Sequence, residues 1–437
     1  MPVLIGVVCL IIALLGYQKT KYIFNPITSM FLMWALILSF SCWRLYETVI
    51  PSDQVYIIIV IGLVGYLIGT LLGMKKVQYS LGKFRIGRTN NYKINYPLLY
   101  MFGGIASVYY IFQITVVVTL LASGYTYEYI RALSIATDTN VLRSSATITM
   151  AKAFIATPMS YLSLALLPIE LLKKNKNKVV LLGAIWLMLG YIITTGGRSV
   201  ILWFALYFMA VFLMRKSKVN REEIRALLKK YRLIILVGGI ALVYLLLKMT
   251  FARKGDDVDL LKQMYIYFVC PLQNFDYHLK VVDASNMYGY GLSSFYGLIY
   301  PILFILSKLR INVFTPYVEK IYAMSFQDLQ MGYNIGGGIY MNAFVTAFYQ
   351  PYLDGRYLGV FVVMIIFGFL SGRFFYNAYY KNNTKSLLIY ILLLQKIIFS
   401  YVRFYFTQQA QSICFIIAFL VITKATERDP KNKIISF

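Results

Sequence analysis

Histidine is almost absent from this chain of 437 residues, and cysteine and acidic residues are scarce. The single histidine, His278, excludes histidine-based metal sites and paired-histidine chemistry. The four cysteines are too scattered to form a disulfide framework. No phosphate-cradling glycine loop of the nucleotide-binding kind is present either. We therefore expect this protein to work without a metal and without a cofactor.

Acidic residues number 17 against 43 lysines and arginines, which gives a net charge of +26. Such an excess is common among nucleic-acid-binding proteins. Here, however, the basic residues form short clusters between apolar segments, as the positive-inside rule for membrane proteins predicts. The chain is also 59% hydrophobic, with a mean hydropathy of +0.67. We conclude that it is an integral membrane protein surrounded by lipids, and we expect no nucleic-acid partner.

Eleven segments are apolar over about the 20 residues that a helix needs to cross the membrane. They begin near residues 2, 27, 55, 98, 153, 179, 200, 233, 358, 387 and 409. A further apolar stretch, Gly291 to Leu309, is broken by Pro301 and either crosses the membrane, re-enters it or lies on its surface. We therefore predict an all-α fold, a polytopic membrane helix bundle of about 11–13 transmembrane helices.

Charge alternates between successive loops, and the strongly basic loops are predicted to be cytoplasmic. This places the N-terminus outside and the C-terminus in the cytoplasm. Residues 1–249 then hold eight helices, residues 250–357 form one large outer loop, and residues 358–437 hold three helices and a basic tail. The large loop carries eight basic and eight acidic residues, unlike the basic cytoplasmic loops. A protein that keeps its largest loop outside is expected to act on something outside.

The tenth predicted span carries polar residues at positions i, i+4, i+7 and i+11, a spacing that predicts one shared helix face. They are Lys396, Ser400, Arg403 and Thr407. Lys396 falls near mid-membrane, where a lone cation costs at least about 2.5–3.5 kcal/mol. It should therefore face protein, water or an anion. An anion-binding cavity and an ion pair with a buried acid are the two interpretations.

A second candidate is the turn Thr195-Gly-Gly-Arg198-Ser199 between the sixth and seventh spans. Its two glycines permit a tight turn and hold Arg198 at the outer surface. There the planar guanidinium either grips a diphosphate or extends to the lipid headgroups. Arg403, Lys248 and Arg253 also fall at outer helix ends, and Arg131 and Arg143 lie on another outer loop.

A third candidate is the segment from Asn342 to Gly355, which combines amides, hydroxyls, tyrosines and the carboxylate of Asp354. This mixture suits sugar recognition, with aromatic rings under sugar faces and polar groups on hydroxyls. The residues assigned to glycan binding are Asn342, Tyr349 and Tyr352. The alternative is that these tyrosines belong to the aromatic belt found at membrane surfaces.

These features together resemble the Wzy family, the polymerases that join repeat units of O-antigen, capsule or exopolysaccharide. The resemblance covers most of the chain and is most specific at Tyr288-Gly-Tyr-Gly291 and at Asn342…Thr346…Tyr352-x-Asp354-Gly355. It implies a location in the bacterial plasma membrane and a lipid-linked oligosaccharide substrate. It leaves open a protein partner that regulates chain length.

The reaction implied by the resemblance is metal-independent glycosyl transfer between two lipid-diphosphate-linked glycans at the outer face. The leaving diphosphate is stabilised by cations, for which the candidates are Arg198, Arg253, Arg403 and Lys396. The acceptor hydroxyl needs a base, for which the candidates are Asp354 and His278. Two alternatives remain, an O-antigen ligase-like transferase and a flippase for lipid-linked oligosaccharides.

Overall fold

The computed structural model describes residues 1–75, 92–136, 145–173, 175–197, 199–216 and 259–424. Arg198, Arg253 and the predicted span near residue 233 lie outside these ranges. Within them the chain is helical with almost no sheet, which confirms the predicted all-α fold. Contacts divide it into two compact units. Unit 1 comprises residues 1–92 and 260–416, and unit 2 comprises the described residues between 93 and 259 and from 417 onward.

The two units cut across the three topological segments predicted from sidedness, because contacts group helices that are distant in the chain. In chain order the helices are α1 (Pro2–Thr20), α2 (Pro26–Cys42), α3 (Asp53–Met74), α4 (Tyr96–Ala122), α5 (Tyr127–Ala136), α6 (Ala146–Ala151), α7 (Thr157–Leu171), α8 (Lys178–Thr195), α9 (Ser199–Lys216), α10 (Leu260–Ser285), α11 (Tyr296–Lys308), α12 (Pro316–Tyr322), α13 (Tyr349–Lys381), α14 (Thr384–Ile398) and α15 (Gln409–Val421). Short 3₁₀ or π turns occupy Leu45–Glu47, Lys152–Ala156, Ala323–Gln327, Asp328–Gln330 and Tyr405–Thr407.

Two short two-stranded sheets complete the described structure. One pairs β1 (Tyr92–Ile94) with β4 (Ile422–Lys424), and the other is the antiparallel hairpin of β2 (Tyr333–Asn334) and β3 (Tyr340–Met341). The hairpin loop contains three consecutive glycines with positive φ, a conformation that other residues rarely adopt.

Within the residues that the structure describes, six helical segments are long and apolar enough to cross a membrane. They are α1, α3, α4, the continuous run Thr147–Leu171 through α6 and α7, α8 and α13. Helices α2, α11 and α15 and the stretch Ser199–Met214 of α9 are apolar but shorter. Helix α11 covers most of the broken stretch from Gly291 to Leu309. Its 13 residues extend about 20 Å, less than the roughly 30 Å of a hydrocarbon core, so this helix alone is too short to cross.

Helices α3 and α13 form the most extensive helix pair of unit 1. Gly65, Gly69 and Gly73 of α3 lie against the backbone of Phe361, Ile365 and Phe369 of α13. A Cβ atom at any of these glycines would crowd that backbone. Because both sets of numbers increase together, the two helices run parallel. Small residues are the usual means of bringing membrane helices this close. The parallel direction means that α3 and α13 begin on the same side of the bundle.

Candidate functional site

Unit 1 contains a group of non-helical segments that pack on one another between its helices. They are residues 288–295, 342–348, 354–356 and 399–408, and we call them together the irregular core. Non-helical backbone inside a membrane protein is tolerated only where it is buried in protein or lines a cavity. Several of its non-glycine residues have positive φ, a strained conformation that concentrates at functional sites. They are Tyr290, Ala343, Thr346 and Arg356.

Asp354 fastens the first of these segments to the start of α13. Its Oδ1 accepts the backbone N–H of Ser293 at 2.9 Å, and its Oδ2 accepts that of Ser294 at 2.8 Å. The carbonyl groups of Leu353 and Asp354 in turn accept the N–H groups of Gly289 and Tyr290. A Cβ on Gly289 would overlap Asp354 Oδ1, so only glycine fits there. The two most specific motifs of the sequence are therefore in direct contact.

Helix α13 breaks immediately after Asp354. Gly355 has φ −165° and ψ 31°, and Arg356 has φ 51° and ψ −139°, both outside the helical range. Gly359 follows in the resumed helix, where a Cβ would overlap the carbonyl oxygen of Pro351. The Asp354-Gly355 pair and Gly359 thus allow a sharp change of direction that keeps the backbone close-packed.

Arg403 does not share a helix face with Lys396, so that prediction is wrong. Helix α14 ends at Ile398, and the following backbone bonds instead to the segment before α13. The N–H of Val345 donates to Val402 O at 2.9 Å, and a parallel bridge joins Thr346 to Arg403. Those inter-segment bonds replace the ones a continued helix would make. Arg403 therefore lies beside the 342–348 segment, which the sequence singled out independently.

Lys396 is buried in protein, with 3% of its surface exposed. Its Nζ donates to Gln411 Oε1 at 2.8 Å and to Gln395 Oε1 at 3.2 Å, and it lies 5.0 Å from the centre of the Phe415 ring. These partners are amide oxygens and an aromatic ring rather than a buried acid. Because Gln411 belongs to α15, the ammonium links the two helices that flank the 399–408 segment.

The three predicted glycan-binding residues occupy different environments. Asn342 is exposed and its Nδ2 donates to Gln330 O at 2.9 Å. Tyr349 is 1% exposed, and its hydroxyl donates to Met324 O at 3.0 Å, so its ring offers no surface to a sugar in this structure. Tyr352 is also packed, but its hydroxyl lies in a hydrogen-bonded cluster with Asp283 and Gln54.

His278 lies on α10 and is 7% exposed. Its ring packs edge-to-face against Tyr277 and Tyr349, with centroids 5.1 and 5.7 Å away. This burial penalises the charged form and lowers the pKa of His278 to about 4. At neutral pH the imidazole is therefore uncharged and is a weak base.

In unit 2, the predicted tight turn after the sixth span is confirmed up to Gly197. Helix α8 ends at Thr195, and Gly196 caps it with φ 62°. A Cβ on Gly196 would lie 2.8 Å from Cδ of Arg131, so the absence of a side chain at Gly196 leaves room for this arginine of helix α5. Arg131 thus lies beside this turn, while Arg198 itself lies outside the described residues.

Two charged residues near the site were not singled out from the sequence. Arg356 directly follows the Asp354-Gly355 pair, and Asp283 lies in the last turn of α10, where no local motif marks it. Arg356 could have been identified from the sequence because it follows a predicted motif. Asp283 could not, because only folding brings it close to the site. Across the ranges that the structure describes, no group of three or more His, Cys, Asp or Glu residues forms a metal-binding cluster.

Comparison with known proteins identifies the family. The family model for the O-antigen polysaccharide polymerase Wzy matches residues 2–427, which is nearly the whole chain. No curated protein and no solved structure matches. This match favours neither the ligase nor the flippase interpretation. The apolar helices and the whole-length match lead to one conclusion: this chain is a multi-pass membrane protein that belongs to the O-antigen polysaccharide polymerase Wzy family and polymerises O-antigen repeat units.

Proposed function

We propose that the protein transfers a growing glycan from undecaprenyl diphosphate to the terminal sugar of an incoming lipid-linked unit. The transfer takes place at the outer face of the bacterial inner membrane, with the N-terminus outside and the C-terminus in the cytoplasm. The observation that carries this proposal is the bridge between Thr346 and Arg403. It supports one site in which a cation and the sugar-recognition segment act on the same molecule.

In this proposal Arg403 binds the diphosphate from within the irregular core. A guanidinium presents several N–H donors in a fixed plane and keeps its charge at any physiological pH. The transition state for leaving-group departure gathers negative charge on the diphosphate, and a fixed cation stabilises that charge without a metal. Arg198 and Arg253, which lie outside the described residues, stay candidates for diphosphate binding on the sequence alone.

Lys396 contributes to this site in a different way. Its bond to Gln411 holds α15 against α14, and these helices fix both ends of the 399–408 segment that carries Arg403. The contacts of Lys396 therefore support a positioning role in addition to its charge.

Neither candidate base is well placed for a proton transfer at neutral pH. Both oxygens of Asp354 already accept backbone N–H groups, and the lowered pKa of His278 mismatches the working pH of a general base. We therefore assign Asp354 a positioning role, holding residues 288–295 against α13. The asparagine variant described in the Discussion tests this assignment against a role as the base.

The test of the function is glycan profiling in a deletion strain complemented with variants. Loss of the polymer ladder, with single lipid-linked units accumulating on the outer leaflet, is the expected result. Single units held on the inner leaflet would instead identify a flippase, and full-length polymer held on its lipid carrier would identify a ligase.

The diphosphate role is tested in the same strain with Arg403→Ala and Arg403→Lys. We expect Arg403→Ala to abolish the ladder and Arg403→Lys to restore only part of it, because lysine lacks the planar fork of donors. Arg310→Lys, an equivalent change at an exposed arginine, is the matched control and should leave the ladder intact. A normal ladder with Arg403→Ala, at equal protein level, would refute the role.

A further inference from the structure

A second polar cluster lies where three elements of unit 1 meet: the start of α3, the end of α10 and the break in α13. The hydroxyl of Tyr352 donates to Asp283 Oδ1 at 2.9 Å. Gln54 Nε2 donates to Asp283 Oδ2 at 3.1 Å and to the Tyr352 hydroxyl at 3.0 Å. Asp283 nevertheless keeps 40% of its side chain exposed. Hydrogen bonds between side chains thus hold the cluster together, and the exposed part of Asp283 is accessible to a ligand.

Arg356 also belongs to this cluster, and one of its guanidinium nitrogens is buried without a hydrogen-bond partner. Its Nη2 donates to Val282 O at 3.0 Å, and its Nε lies 3.4 Å from Asp283 Oδ1. Its Nη1 is buried and has no hydrogen-bond partner. Unpaired buried donors are rare in native proteins, and each calls for a missing acceptor such as a ligand or a water. Arg356 also has a positive φ, a strained backbone conformation of the kind that concentrates at functional sites.

The charges of the cluster indicate what that acceptor is. Asp283 and Arg356 lie side by side and neutralise each other, so a diphosphate would meet the exposed carboxylate as well as the guanidinium. Hydroxyl groups fit better, because each hydroxyl both donates and accepts a hydrogen bond. Carboxylate and guanidinium together offer one acceptor and one donor to such a ligand.

Aromatic rings line the same place. The guanidinium of Arg356 lies over the ring of Tyr288 at 4.6 Å and over that of Tyr352 at 5.4 Å. Tyr288 stacks with Tyr290, whose side chain is largely exposed, and the hydroxyl of Tyr317 bonds to the carbonyl of Tyr288. Ligand sites typically combine such aromatic surfaces with a few fixed polar groups. Flat rings suit the C–H faces of a sugar.

We propose that this cluster, Gln54, Asp283, Tyr288, Tyr352 and Arg356, is a binding subsite for an uncharged sugar residue of the lipid-linked unit. It is separate from the diphosphate site at Arg403. Asp283 and Arg356 bind sugar hydroxyls, and the exposed ring of Tyr288 supports the sugar ring. This inference rests on the proposed function, since it takes the glycan part of that same substrate.

The test measures binding of two soluble probes to the full-length protein in lipid nanodiscs. One probe is the repeat-unit oligosaccharide released from the host polysaccharide, free of lipid and phosphate, and the other is inorganic diphosphate. We expect Asp283→Asn and Tyr352→Phe each to weaken oligosaccharide binding about tenfold, the usual effect of losing a hydrogen bond to a charged group. Diphosphate binding should be unchanged in both variants and weakened by Arg403→Ala.

Tyr352→Phe removes a single oxygen atom, so we expect this variant to fold normally. Thermal unfolding of each variant checks that it is folded. The matched control is Asp53→Asn, the same chemical change at an exposed carboxylate next to Gln54, and it should bind the oligosaccharide like the wild type. The subsite is refuted if the wild type does not bind the released oligosaccharide, or if Asp283→Asn and Tyr352→Phe bind it normally. Failure of the proposed function is a separate result, an intact polymer ladder in the deletion strain.

Discussion

The α3–α13 pair and the irregular core lie in the same unit and share helix α13. Their backbone N–H and C=O groups nevertheless find hydrogen-bond partners in different ways. In the pair, hydrogen bonds stay within each helix, and glycine faces such as Gly65 and Gly69 bring the two backbones together. In the irregular core, N–H groups bond between segments, as from Val345 to Val402, or to a side chain, as at Asp354. The glycine-packed stretch of the pair is almost entirely apolar, whereas the core is rich in polar and strained residues.

This difference separates a scaffold from a site. The glycine-packed stretch of the pair, from Gly65 to Gly73 of α3, packs against backbone rather than facing a ligand, and it fixes the position of everything attached to it. The irregular core gives up regular hydrogen bonding and so presents backbone and charged groups at the break in α13. We expect substitutions in the pair to reduce the amount of folded protein, and substitutions in the core to reduce activity while the protein remains folded.

The largest effect should come from Gly69→Leu in α3. A Cβ at this position already overlaps the backbone of Ile365, so a leucine must push the two helices apart. We expect little folded protein in the membrane and no polymer ladder, since overpacking costs about 1–3 kcal/mol even where neighbours can adjust. Protein level by immunoblot and the ladder by gel measure this.

Gly104→Leu is its control, because the space around Gly104 in α4 is open to 4 Å. That variant should accumulate like the wild type. Equal protein levels for the two variants would contradict the close packing of α3 on α13.

A smaller effect is expected from Asp354→Asn in the irregular core. The amide keeps one acceptor oxygen but loses the second, so one of the two N–H bonds from Ser293 and Ser294 is broken. Hydrogen bonds to charged groups contribute about 1.5–3 kcal/mol, enough to loosen residues 288–295 without unfolding the protein. Hydrogen exchange of these amides should become faster, with the ladder weakened.

The pH profile of polymerisation distinguishes positioning from base catalysis. If Asp354 only positions the segment, the variant retains the wild-type pH profile at a lower rate. A flattened acid limb in Asp354→Asn, with unchanged hydrogen exchange, would show that Asp354 is the base after all.

The smallest effect at neutral pH is expected from His278→Gln, which tests stability rather than activity. Because the pKa falls from 6.5 in the unfolded chain to about 4 in the folded one, the unfolded state binds more protons between these values. Burying the neutral imidazole therefore costs no free energy of unfolding above pH 6.5. As the pH falls from 6.5 toward 4, the free energy of unfolding decreases, because the unfolded chain takes up a proton that the folded chain does not. The loss amounts to roughly 3 kcal/mol.

Thermal unfolding in detergent at a series of pH values measures this. His278 is the only histidine, so no other imidazole contributes to the window. The wild type should lose stability from pH 6.5 to 4 more steeply than His278→Gln. Parallel curves would contradict the burial of this ring.

The sequence predicted the helical membrane architecture because apolar length and charge between spans report directly on the bilayer. It also identified the Asp354-Gly355 motif and Arg403 as candidates. It failed where local periodicity is overridden by long-range contact. The spacing of Lys396 and Arg403 fits one helix, but the backbone of residues 400–402 bonds to the segment before α13 instead.

Asp283 shows the other limit of sequence analysis. It has no motif around it, and its partners Gln54, Tyr352 and Arg356 are distant in sequence or separated from it by a whole segment of the fold. Single-sequence patterns describe neighbours within a few residues, so a cluster assembled from three elements leaves no local trace. Only the packed structure brings these groups together.

The parallel pairing of α3 with α13 also has a consequence for how the chain is made. Helix α3 ends at Met74 and α13 begins at Tyr349, 275 positions later. At the usual synthesis rate of about 5–20 residues per second, the glycine face of α3 waits roughly 15–55 seconds in the bilayer before its partner emerges. During that interval lipid or another membrane protein must cover this face, so the scaffold of the enzyme is completed only as the last helices leave the ribosome.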